Sequence, residues 1–199
     1  MTDAGKPAIT DRVIEAARDL FYAQGYEVSV DRIVQQASVA KPTVYAHFGS
    51  KDALIEAVLD RARTEFFDQL DREVAERSGD PVAQLLAPID LLVKGLPAPT
   101  YHGCLCINAA ATFPDPGHPA HKVLRGLNEQ LASVWTQLAA RAGAKRPDVL
   151  TRQLLLLFDG IKARGLTDHS GAAADDARAA VLILLNHNRR TRTTRHRQA

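Results

Sequence analysis

Residues 29–48, SVDRIVQQASVAKPTVYAHF, set two apolar patterns of helical period on either side of a turn too short to let them separate, and this most constrains what the chain can fold into. The first pattern places Val30, Ile33, Val34 and Ala37 at i, i+3, i+4 and i+7, with Ser29 positioned to accept from the free backbone N–H groups at its start. After Ser38-Val39 the second pattern opens at Ala40. Lys41, Pro42 and Thr43 fill its first turn, where proline fits because its missing N–H would have had no partner. Val44 and Phe48 stand four apart and point inward, leaving Lys41, Thr43, Tyr45 and His47 for solvent or a ligand. Those four supply a cation and hydrogen-bonding groups suited to phosphates and base edges, so the pattern reads as a helix-turn-helix whose second helix carries the contacts.

Charge does not announce a nucleic-acid binder. The formal net charge is +2, from 25 basic and 23 acidic side chains. Five of the basic ones, Arg189, Arg190, Arg192, Arg195 and Arg197, lie at the end, and without them the balance is negative. Residues 1–60 hold six Lys or Arg against nine Asp or Glu. A DNA-binding reading therefore rests on the local placement of Lys41, His47 and Lys51 rather than on a basic field, and on the doubling of contacts in a dimer.

The remainder of the chain reads as helix throughout. A first helix is expected with Thr10 as its cap, an Ile9–Ile14 staple, a buried stripe of Val13, Ala17, Leu20 and Phe21, and an end at Gly25. Ser50 caps a long fourth helix from Lys51 to about Arg77, terminated by Ser78-Gly79-Asp80-Pro81. A fifth follows, which Pro88 should kink, then a short sixth from about Cys104 to Thr112. Beyond FPDPGHP, where His118 marks the next start, a seventh helix carries Val123, Leu127, Leu131, Val134, Leu138 and Ala142. An eighth runs from Pro147 to about Leu166 and a ninth from Asp175 to His187. The fold class is all-α with about nine helices. No apolar run reaches the roughly 20 residues of a membrane span, and the N-terminus has no hydrophobic signal region, so a cytoplasmic protein with no membrane partner is expected.

The eighth and ninth helices are apolar on more than one side, which predicts a homodimer interface built from Leu155, Phe158, Val181, Leu184 and Leu185. Asp159, a charge within the eighth helix, is expected to meet Arg152 or Arg164 of a partner subunit. The Arg-rich segment 189–199 reads as a disordered tail.

GYEVSVDRIVQQASVAKPTVYAHFGSKDALIEAVL resembles the N-terminal region of the TetR family of bacterial transcriptional regulators, over about residues 10–60. The likeness lies in Gly25-Tyr26 after the first helix, an aliphatic second helix, Tyr45-x-x-Phe48, and the Gly49-Ser50-Lys51 turn. It implies a DNA-binding domain at 1–55, helix four linking onward to about 77, and an effector-binding and dimerisation domain at 56–188. By the resemblance Tyr45 and Lys51 grip phosphates, Thr43 and His47 contact phosphates or base edges, and Lys41 and Pro42 complete the DNA-binding set. Two positions depart from the family's habit: Ser38 stands where glycine is frequent in the turn, and Ala40 where serine caps the reading helix, forgoing about 1 kcal/mol. HGCLCINAAATFPDPGHPAH is similar to a segment of one subgroup and points to the effector domain.

These features imply a repressor that binds a palindromic operator in double-stranded DNA as a homodimer and is released by a small-molecule effector. Asn108, Phe113, Trp135 and Phe158 are candidate effector contacts, against the plainer reading that they fill the core. Two alternatives stay open. One is an architectural DNA-binding protein of the same fold without an effector. The other is a metal- or thiol-responsive sensor using Cys104 and Cys106, with His102, His118 and His121 nearby, although residues two apart on a helix point about 200° apart. No Glu-x-x-His pair, nucleophile elbow, P-loop or His-Glu-x-x-His motif supports an enzyme, and no cofactor or resident metal is expected.

Overall fold

The computed structural model describes residues 8–96, 100–168 and 172–190. Among these the chain is all-α: α1 (Ile9–Gln24), α2 (Val30–Ala37), α3 (Lys41–Phe48), α4 (Lys51–Glu76), α5 (Pro81–Val93), α6 (Leu105–Thr112), α7 (Pro119–Arg141), α8 (Pro147–Arg164) and α9 (Ala172–Arg190). Packing divides the described residues into two units, one lying within 1–67 and 102–127 and the other within 68–101 and 128–199. α6 and the start of α7 contribute apolar side chains to the N-terminal core.

In the first unit, Val13, Ala17, Leu20 and Phe21 of α1 meet Ile33 of α2, Val44 of α3, and Leu54, Ile55, Val58 and Leu59 of α4 in one buried cluster. Cys106 and Ala109 of α6 with Ala120 and Val123 of α7 extend it. Tyr26 joins these layers. Its ring stacks on Phe21 at 5.0 Å between centroids and meets Phe113 edge-on, while its hydroxyl donates to the Leu105 carbonyl at 2.7 Å. Burial pushes that hydroxyl's pKa well above its ordinary range, with the nearby Cys106 and Cys104 thiols adding to the effect.

The helix ends explain themselves locally. Gly25, at φ 82°, closes α1. Ser29 caps α2 through its hydroxyl, which accepts from Arg32 N–H at 3.3 Å. At the other end of α2, Ser38 takes the left-handed conformation (φ 53°, ψ 50°), and the N–H groups of Ser38 and Val39 close back on the carbonyls of Gln35 and Val34. This is the conformation glycine adopts most readily, which accounts for a glycine preference at the position. Asp80 caps α5 by accepting from Val82 and Ala83 N–H, both at 3.0 Å. α5 continues through Pro88, which lies buried inside it.

The first helix begins earlier than its sequence suggests. α1 starts at Ile9 behind Ala8, with no side-chain cap, so Thr10 lies within the helix and Ile9 is exposed rather than stapled to Ile14. The apolar pair is close enough in spacing to mimic a staple, but the register of the buried stripe puts Ile9 on the outer face.

In the second unit, Trp135 of α7 is fully buried. Its indole N–H donates to the Leu85 carbonyl of α5 at 3.2 Å, and its ring meets Phe158 of α8 edge-on at 5.3 Å. Arg178 of α9 binds Asp90 of α5 at 2.6 Å, and Asn188 of α9 both accepts from and donates to the backbone of Arg146 before α8. Arg189 Nε donates to the Ala142 carbonyl at 2.8 Å. Arg189 and Arg190 therefore belong to α9 rather than to a tail, and residues 191–199 of the expected tail lie outside the described residues. Asp159 finds its partner within the same chain: the Lys162 ammonium lies 3.1 Å away, one helical turn on, and 4.3 Å over the Phe158 ring. Arg152 pairs with Asp148 instead.

Trp135→Ala removes a packed indole and its hydrogen bond to the Leu85 carbonyl, so it should destabilise the protein by about 3–5 kcal/mol in urea denaturation followed by helical circular dichroism. A loss below about 1 kcal/mol would mean that the site collapses around the gap.

Candidate nucleic-acid interface

α3 is only eight residues long, and its orientation is set by two side chains. Val44 is buried at 2% exposure, and Phe48, half-buried, packs against the same core. Helical geometry then turns Lys41, Pro42, Tyr45 and His47 outward, all exposed, with Thr43 half-buried at the flank. Tyr45 is 43% exposed, a large aromatic left in solvent by a helix whose next residue but two is held in the core. Gly49, at φ 76°, ends the helix with its N–H on the Tyr45 carbonyl at 2.8 Å. Ser50 follows at once and accepts from Ala53 N–H at 3.0 Å, so α4 begins without a spacer and Lys51, half-buried, lies in its first turn.

The start of α3 is weaker than its end. Ala40 occupies the cap position in an extended conformation (φ −81°, ψ 143°) and offers no side-chain oxygen to the first-turn N–H groups. Pro42 in that turn removes one orphan donor.

Lys41 does not face solvent alone. Its ammonium lies 2.8 and 3.1 Å from the two carboxylate oxygens of Asp31, in the first turn of α2. That hydrogen bond and the carboxylate's charge hold the lysine's pKa above its usual value. Sequence reading misses this pair because ten residues separate the two along the chain, a spacing that brings charges together only once the turn at Ser38 has formed. Five of the six predicted contact residues thus belong to α3 and the sixth, Lys51, opens α4, with an acidic side chain held against Lys41.

The predicted effector contacts are drawn from both units. Asn108 and Phe113 belong to the first unit, and Trp135 and Phe158 to the second. Asn108 donates to the His102 carbonyl at 2.7 Å, Phe113 stacks on His118 at 3.9 Å, and Trp135 and Phe158 are buried against each other. His118 does mark the start of α7: its Nδ1 accepts from Ala120 N–H at 3.2 Å. Cys104 is the uncapped residue before α6 and Cys106 is buried within it. Among the described residues no three His, Cys, Asp or Glu side chains come together as a metal-binding group.

The dimer residues also divide. Phe158, Val181 and Leu185 are buried inside the protomer at 2%, 0% and 1% exposure, where α8, α9 and α5 pack on one another. They are therefore not available to a second subunit. Leu155 and Leu184 are half-buried, while Leu156 (74%) and Ile183 (68%) stand out from α8 and α9. Both helices are apolar on two sides, and the sequence does not say which side the protomer itself covers.

Residues 13–58 match the family profile described as bacterial regulatory proteins, tetR family. The chain is similar along most of its length to the crystal structure of SCO4454, a TetR-family transcriptional regulator from Streptomyces coelicolor, with a TM-score of 0.84 and 31% identity. The match covers 91% of this chain and 96% of that one. It is 32% identical over 124 residues to the HTH-type transcriptional repressor ComR of Escherichia coli K12, covering 59% of this chain and 58% of ComR. It is 30% identical over 94 residues to the transcriptional regulator YjdC of the same organism, covering 47% of this chain and 49% of YjdC. The chain thus spans about half of the length of the curated relatives it matches.

Ala40→Ser supplies the missing cap at a backbone conformation already suited to it, and should raise stability by about 1 kcal/mol in urea denaturation. An unchanged midpoint would show that water or the preceding turn already satisfies those N–H groups.

Proposed function

Because the chain belongs to the TetR family of bacterial transcriptional regulators, and so is a DNA-binding regulator and not an enzyme, we propose that it acts in the cytoplasm as a homodimeric repressor of a palindromic operator, released by a small-molecule effector. The observation that carries this reading is the seating of α3. With Val44 and Phe48 held inward, Tyr45, His47, Lys41 and Pro42 are left exposed, with Thr43 and Lys51 half-buried. Tyr45 and Lys51 bind phosphates, while Thr43 and His47 reach phosphates or base edges in the major groove. Two copies related by a two-fold axis place their α3 helices in grooves about one helical turn apart, which is why the target is a palindrome. Repression is supported by the likeness to the transcriptional repressor ComR.

The functional domains proposed are 1–55 for DNA and 56–188 for dimerisation and effector capture. Dimerisation uses the outer faces of α8 and α9, with Leu156, Leu182, Ile183 and the half-buried Leu155, Leu157 and Leu184. The exposure of Leu156 and Ile183 on two apolar helices that pack on each other supports this reading. An effector that lowers operator affinity about 100-fold must favour the released form by about 2.7 kcal/mol, within reach of one small molecule. α4 and α7 each contribute residues to both units, which makes them the candidate carriers of that coupling. Among the described residues no helix is long and apolar enough to cross a membrane.

Tyr45→Ala and Lys51→Ala should each weaken binding to duplexes of every sequence with helical content unchanged, and Lys51→Ala, which removes a cation, should also flatten the salt dependence. Unaltered affinity in a folded variant would remove that residue from the interface. Leu156→Glu and Ile183→Glu should sediment as folded monomers, and a variant that remains dimeric would place the interface elsewhere.

A further inference from the structure

The ion pair between Asp31 and Lys41 lies within the very surface assigned to DNA. Asp31 sits in the first turn of α2, Lys41 begins α3, and both carboxylate oxygens are within 3.1 Å of the ammonium. Both side chains are largely exposed, 69% for Asp31 and 47% for Lys41, so the pair does nothing for the core. Val44, rather than this pair, seats α3. A phosphate approaching Lys41 must therefore displace or share a carboxylate already bound to it, in a region whose first 60 residues carry an acidic excess.

We infer that Asp31 restrains DNA binding by occupying Lys41, lowering the sequence-independent component of the affinity and leaving more of the discrimination to the other residues of α3. The inference rests on the DNA-binding function proposed above. Its physical sense is clear for a regulator that must find one operator among a vast excess of other duplex, where electrostatic affinity for any sequence holds the protein away from its target. Asp31 is a positioning residue in this scheme: it acts through Lys41 and itself touches no DNA.

The test is a double-mutant cycle on the full-length protein, with fluorescence anisotropy on a labelled random-sequence duplex across a salt series. Asp31→Asn should tighten binding by about fivefold per head, the scale of an exposed ion pair, and steepen the salt slope by about 0.9 for each phosphate that the freed Lys41 neutralises. Asp31→Glu should retain the wild-type affinity, and in a Lys41→Gln background Asp31→Asn should have little effect. A purely structural role for Asp31 would leave the salt slope unchanged. Unchanged or weaker binding by a folded Asp31→Asn protein overturns the inference while leaving the DNA-binding function intact. So does a tightening that persists undiminished without Lys41, since the carboxylate would then act on DNA directly. A wild-type protein with no affinity for any duplex removes both.

Discussion

The seating of α3 through Val44 and Phe48 is the contact on which the rest of the reading head depends. An eight-residue helix is too short to be stable alone, and this one has a weak start, with alanine at its cap. It persists because Val44 enters the cluster built by α1, α2 and α4, and because Gly49 and Ser50 end it and start α4 within two residues. With its inner face fixed at Val44, its outer face follows from the period of the helix. The exposed Tyr45 and His47 are consequences of that buried valine as much as of their own chemistry.

Deeper in the same unit, Tyr26 has a comparable role. It receives Phe21 on its face, Phe113 on its edge, and spends its hydroxyl on the Leu105 carbonyl. Through it the segment 102–127 packs into the same unit as the three N-terminal helices. Lys122 of α7 meets Glu56 of α4 at 2.9 Å, and His118 approaches Asp52 at 3.6 Å. These contacts reach the first turns of α4, immediately after the turn that ends α3.

The reading head was the region most legible from sequence, because its signals are local. Ser29, Pro42, Gly49 and Ser50 act within four residues, and the i, i+4 pair of Val44 and Phe48 identifies its own face. Helix boundaries over most of the chain were readable for the same reason. What the sequence withheld was tertiary. Nothing in the spacing of Asp31 and Lys41 joins them before the left-handed Ser38 closes the turn. Nothing in LLLLF tells which leucine is spent on α5 and α9, so Phe158, Val181 and Leu185 read as partner-facing although the protomer buries them. Ile9 and Thr10 mimic a helix start because a staple and a cap are recognised by residue type, and the register that decides them is set by the stripe further on.

The most direct test of an outward-facing, DNA-reading α3 is selection from a random duplex pool by the purified full-length protein at near-physiological salt. The prediction is enrichment of a palindrome whose half-sites lie about one helical turn, or a small multiple of it, apart, and a lower yield of that same palindrome from Tyr45→Ala. A folded, dimeric protein that enriches no sequence, or one whose yield of the palindrome is undiminished without Tyr45, would contradict it.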